Sequence, residues 1–117
     1  MQASQKPSQR FQVLEVAIEA VTVAREVVEA IRKRDRDLGE QIRRALSSVA
    51  LNIAEGNSSD GGNRITRFST AAGSAAEVRA ALRVAVAWGH VGAGQTAPVD
   101  ALLDRVAAML HRLGARR

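Results

Sequence analysis

Residues 37–56 read DLGEQIRRALSSVALNIAEG. Leu38, Ile42, Ala45, Leu46, Val49 and Ile53 recur at the three- and four-residue spacing of one helix face. That spacing predicts a helix from Asp37 to Glu55. Gly56 is expected to close it in the C′ position, and Asp35 or Asp37 to cap its start. Asn57 to Asn63, NSSDGGN, carries the turn residues of a loop.

The pattern repeats on both sides. Upstream, Ser8 is a candidate N-cap for a helix running to Lys33. One apolar stripe there is Val13, Ala17, Ala20, Ala24, Val27 and Ile31. A second is Leu14, Ile18, Val21 and Val28, with Val16 and Val23 widening the face. Glu15, Glu19, Glu26 and Glu29 mark the polar side. Downstream, Ile65, Phe68, Ala72, Ala75, Leu82 and Val86 predict a helix from Asn63 to Trp88. Gly73 lies near its middle, where close approach of a neighbour would offset glycine's low helix propensity. Val99, Leu102, Leu103, Val106, Leu110 and Leu113 predict a last helix from Ala97 to Leu113, with Thr96 as cap and Pro98 in its first turn.

Four helices joined by short loops pack as antiparallel neighbours. The expected fold is therefore all-α, an up-down-up-down four-helix bundle over residues 8–114. Residues 1–7 read as a disordered lead-in and 115–117 as a basic tail. A chain of 117 residues suits one domain and needs no disulfide, and it has no cysteine. No apolar run reaches the length of a membrane span, and the start lacks the apolar core of a signal peptide. A cytoplasmic location is expected.

Catalytic and cofactor chemistry find no foothold. The two histidines, His90 and His111, stand in a loop and on the last helix, and no Glu-x-x-His pair is present. Gly61-Gly62 and Gly92-Ala93-Gly94 lack the lysine and strand context of a phosphate loop. Ser47, Ser48 and Ser74 have no histidine partner at a credible place. We expect no enzyme, no metal, no cofactor and no small-molecule substrate.

Two constellations remain. If the central hairpin turns near residues 58–60, facing residue numbers add to about 118. Gly73 then lies across from Ala45, Glu77 near Gln41 and Arg44, and Glu55 near Asn63, Arg64 and Arg67. Arg44–Glu77 and Glu55 with Arg64 or Arg67 are expected ion-pair staples. Separately, the net charge is +5, and all cations but Lys6 and Lys33 are arginine, whose fork of donors suits phosphate. The topology gathers Lys6, Arg10, Arg64, Arg67, Arg112, Arg116 and Arg117 at one end, against Glu15, Glu55 and Asp60. That end is the candidate site for RNA or DNA, bound through phosphates without sequence preference. Charges near the first turn, from Arg32 to Asp37, have a structural explanation: cations suit the C-terminus of the first helix.

Gln41, Arg44 and Ala45, followed by Asn52-Ile-Ala-Glu-Gly56, Arg67-Phe68 and Ala72-Gly73-Ser74-Ala-Ala-Glu77, form a longer pattern. It resembles the four-helix-bundle family encoded by intervening sequences in bacterial 23S rRNA genes. The resemblance covers about residues 11–113. It implies a left-handed bundle assembling as a homopentamer, with Arg44, Asn52, Glu55, Gly56, Phe68, Gly73, Ser74 and Glu77 as fold and assembly determinants. It also implies a distant relationship to the accessory variability proteins of diversity-generating retroelements, which look like nucleic-acid and reverse-transcriptase partners. The residues themselves point to self-assembly through the excess apolar girth of the first helix at Val16 and Val23. The expected role is thus a non-enzymatic, homo-oligomeric scaffold. The alternative is a basic nucleic-acid-binding or reverse-transcriptase accessory protein, and a separate protein partner also fits.

Overall fold

The computed structural model describes residues 8–116. Four α-helices follow in order, α1 (Gln9–Arg34), α2 (Arg36–Asn57), α3 (Gly61–Ala87) and α4 (Ala93–Arg112). Each packs on its sequence neighbour, and α1 closes the bundle against α4. The lead-in, with Lys6, and Arg117 of the tail lie outside the described residues.

One side of every helix supplies the core. Val13, Ala17, Ala20, Ala24 and Ile31 of α1 meet Ile42, Val49 and Ile53 of α2, Phe68, Ala75, Val78 and Leu82 of α3, and Leu103, Val106 and Leu110 of α4, all buried. Aromatic content is 3%, so alanine and aliphatic packing fill this space. Many alanines let helix axes approach closely, which raises the number of dispersion contacts per side chain.

The helix ends follow local chemistry. Asp35 is the N-cap of α2, its carboxylate accepting from the Leu38 N–H at 3.0 Å. Ser8 caps α1 through its carbonyl, which accepts from the Phe11 and Gln12 N–H groups at 3.0 Å, without a side-chain bond. Gly89 has φ +77° and follows α3 as its left-handed stop. Its N–H reaches the Val86 carbonyl while the His90 N–H returns to the Ala85 carbonyl at 3.0 Å, the paired closure typical of a glycine C′.

Three boundaries differ from the sequence expectation. Gly56 is not a C′ residue; it lies inside α2, and its φ is not positive. A Cβ on Gly56 would stand 2.6 Å and 2.7 Å from Cε1 and Cδ1 of the buried Phe68 ring. It is glycine because another helix presses on it, not because the chain turns there. Helix α4 begins at Ala93, so Thr96 is not its cap. The Gln95 side chain accepts from the Gly92 N–H at 2.8 Å, and Thr96, buried one turn in, donates to the Ala93 carbonyl at 3.2 Å. The predicted 57–63 loop shrinks to Ser58–Asp60. The tail likewise starts packed: Ala115 is buried, and the Arg116 N–H donates to Ser69 Oγ at 2.9 Å.

Helix α1 uses its wide apolar face unequally. Val16 is 6% exposed and belongs to the core of its own bundle, so it lines no external surface. Val23, one heptad along the same stripe, is 40% exposed. On the outer side of α1, Phe11 is 50% and Ile18 46% exposed, with Leu14 and Val21 half-buried beside them.

Candidate functional site

The motif residues converge on the α2–α3 hairpin. Asn52 donates through Nδ2 to the Ser48 carbonyl at 2.9 Å and to Ser48 Oγ at 3.0 Å. Ser48 Oγ lies 2.9 Å from Ser74 Oγ across the helix pair. Hydroxyls and an amide thus satisfy one another in a half-buried strip. Towards the open end, Gln41 donates to Glu77 at 3.4 Å; towards the loop, Arg67 pairs with Glu55 at 3.3 Å. Replacing Asn52 by alanine removes two bonds and leaves the serine pair without its donor. The expected loss is about 0.5–1.5 kcal/mol, read as a lower urea midpoint with an unchanged m-value.

The Arg44–Glu77 staple is not made, and Glu55 takes only one of its two offered arginines, Arg67. Arg44 is exposed and pairs with no acid among the described residues; Gln41, one turn earlier, takes Glu77 instead. Arg64 does not bind Glu55. Its guanidinium turns back to the Gly56 carbonyl at 3.2 Å and to the Ser59 carbonyl, clamping the loop. The Gly56 carbonyl already accepts from the Ser59 N–H at 3.1 Å, and its second lone pair takes the guanidinium, so Arg64 adds a further bond across the loop.

The basic end is thereby altered. Arg64 is committed to the loop and Arg67 to Glu55. Arg10 sits over the Phe11 ring at 5.7 Å, while its backbone carbonyl accepts from Asn57 Nδ2 at 3.0 Å. Arg112 and Arg116 are exposed and join no ion pair among the described residues. The fold brings these residues to one end as expected, but local contacts occupy three of the five described arginines there, Arg10, Arg64 and Arg67.

At the opposite end, the α1–α2 turn meets the α3–α4 loop. His90 Nε2 lies 3.5 Å from Asp35 Oδ2, and the Trp88 ring stacks on His90 with centroids 6.5 Å apart and planes 18° off parallel. Trp88 is 71% exposed. Sequence reading passed over this pair, treating Trp88 as a helix end; the signal was the sole tryptophan standing beside a glycine stop. Helix α3 is also bound to α4 by Arg79, which donates to Asp100 at 2.9 Å and to Asp104 at 3.1 Å. The Asp100 hydrogen bond, opposed by partial desolvation, holds the Arg79 pKa above its ordinary value. A raised cation stabilises the fold fully below its unfolded pKa and loses that contribution only as pH rises through the folded one. The staple is therefore constant across neutral pH.

Among the described residues, no group of three or more histidines, aspartates or glutamates is placed to hold a metal, and no helix is long and apolar enough to cross a membrane.

Fold and hairpin together define a small up-down four-helix bundle protein zipped through its two central helices. The chain belongs to the 23S rRNA-intervening sequence protein family, whose pattern matches residues 9–112. A crystal structure of a protein of unknown function from the S23 ribosomal protein family of Bacteroides thetaiotaomicron shares the fold. Its TM-score is 0.82 at 15% identity, over 91% of this chain and 97% of that one. No curated protein matches the chain.

Proposed function

We propose that the protein is a non-enzymatic, cytoplasmic scaffold that assembles with copies of itself, a pentamer being the number the family resemblance implies. The supporting observation is the apolar surface left on the outer sides of α1 and α2. Phe11, Ile18 and Leu51 are 50%, 46% and 65% exposed, with half-buried Leu14, Val21 and Ala50 between them and the core. The Asn57–Arg10 and Arg32–Glu40 contacts set the antiparallel register of these helices, and that register brings Ile18 level with Leu51. Large apolar side chains left outside the core of a small domain favour burial against another subunit. A ring of basic subunits also concentrates positive potential for a further partner.

Ile18→Glu combined with Leu51→Glu places two charges in that face. Light scattering at micromolar concentration is expected to show an oligomeric wild type and a monomeric double variant with unchanged helical circular dichroism. A monomeric wild type, or a double variant that still assembles, overturns the reading.

A further inference from the structure

We propose that the turn end of the bundle, rather than the end with both termini, is a binding surface for single-stranded nucleic acid, with Trp88 as its stacking platform. Trp88 is 71% exposed, whereas tryptophan is highly buried on average. Here one face of the indole rests on His90, and His90 is only 17% exposed and faced by Asp35. The indole thus has one stacked neighbour, and most of its surface is open to solvent. Its backbone is fixed as well, since Trp88 is the C-cap of α3 ahead of the Gly89 stop.

His90 also lines a long, shallow concavity running along α1 and α2. Arg25, Arg32, Lys33, Arg34 and Arg43 line it too, against Glu26 and Glu29. Five cations face two acids; Arg32 is paired with Glu29 at 3.0 Å and with Glu40 at 2.8 Å, and Arg43 lies 3.9 Å from Glu40. Arg25, Lys33 and Arg34 join no ion pair among the described residues. A positive groove with an exposed aromatic ring stacked on one of its lining residues is an arrangement that binds single strands: cations track the phosphates and the ring stacks a base of any identity. Sequence reading separated these parts, because the cations come from two helices and the ring from a third. The proposal does not depend on self-assembly, since each subunit carries the whole groove.

Trp88 is the only tryptophan, so its fluorescence reports occupancy directly. The full chain is titrated with oligouridylate of about 10 nucleotides, and the affinity is measured in parallel by anisotropy of a labelled strand. Quenching of Trp88 is expected, with affinity falling roughly 20- to 100-fold between about 50 and about 200 mM salt for three to five phosphate contacts. Trp88→Ala is expected to weaken binding about 5- to 150-fold, while Trp88→Phe, which keeps a ring, recovers most of it. Lys33→Glu with Arg34→Glu is expected to weaken it as strongly. Circular dichroism confirms that each variant is folded. Three results overturn the proposal: no binding by the wild type, equal quenching by a polyglutamate peptide, or a loss that follows Arg112→Ser and Arg116→Ser while Trp88→Ala binds as wild type does. The mass measurement on Ile18 and Leu51 variants is separate, so either reading can fail alone.

Discussion

Phe68→Ala is expected to lower stability by about 3–5 kcal/mol, the usual cost of emptying a buried phenylalanine site. For a domain of this size that is a fall in melting temperature on the order of 10–25 °C. Phe68 has no exposed surface and is among the largest fully buried side chains. Its ring fills the notch at Gly56, where α2 and α3 approach before the short loop. The backbone of a glycine cannot follow the retreating ring, and the neighbouring core is made of small, stiff side chains, so the cavity cannot collapse. Thermal melts at two protein concentrations check the size of the loss and separate it from any effect on assembly. A change below about 1 kcal/mol would mean that the hairpin repacks.

Gly39→Ala is the second large effect, and its sign is the informative part. Helix propensity alone predicts a gain, since alanine in a helix is favoured over glycine by about 0.8–1 kcal/mol. Packing predicts the reverse. Gly39 is buried in the first turn of α2, and an added Cβ would lie 2.8 Å from the Arg32 Cα and overlap its Cγ. A backbone atom cannot rotate away, so α1 and α2 must spread at the turn. Such overpacking costs typically about 1–3 kcal/mol, and a net loss is expected. Spreading also disturbs Arg32, which pairs with Glu40 at 2.8 Å across the same joint. Gly94→Ala provides the contrast, because nothing lies within 4 Å of its added Cβ. That substitution is expected to be neutral or to raise the melting temperature. Gain at both positions would show that the turn tolerates the extra methyl.

Much of the hairpin was legible before the fold was known. A register near 118 brought Gln41 to Glu77, and Glu55 found one of its two expected partners, Arg67. What failed was the choice between similar donors. Arg44 and Gln41 both lie within a turn of Glu77, and Arg64 and Arg67 both within a turn of Glu55. Spacing along a helix places a Cα to within a residue. It does not say that the carbonyls at the end of α2 would claim Arg64 first.

Local sequence determined the four helices, their order, the antiparallel packing and most of the core, because these depend on short-range periodicity and capping that each segment carries by itself. The tertiary structure alone decided three things. It buried Val16 and left Ile18 outside, since α1 has more apolar surface than its two neighbours, α2 and α4, can cover. It made Gly56 a packing notch for Phe68 and not a helix stop, since that demand comes from α3. And it set Trp88 on His90 beside cations of α1 and α2, a juxtaposition that exists only once distant segments meet.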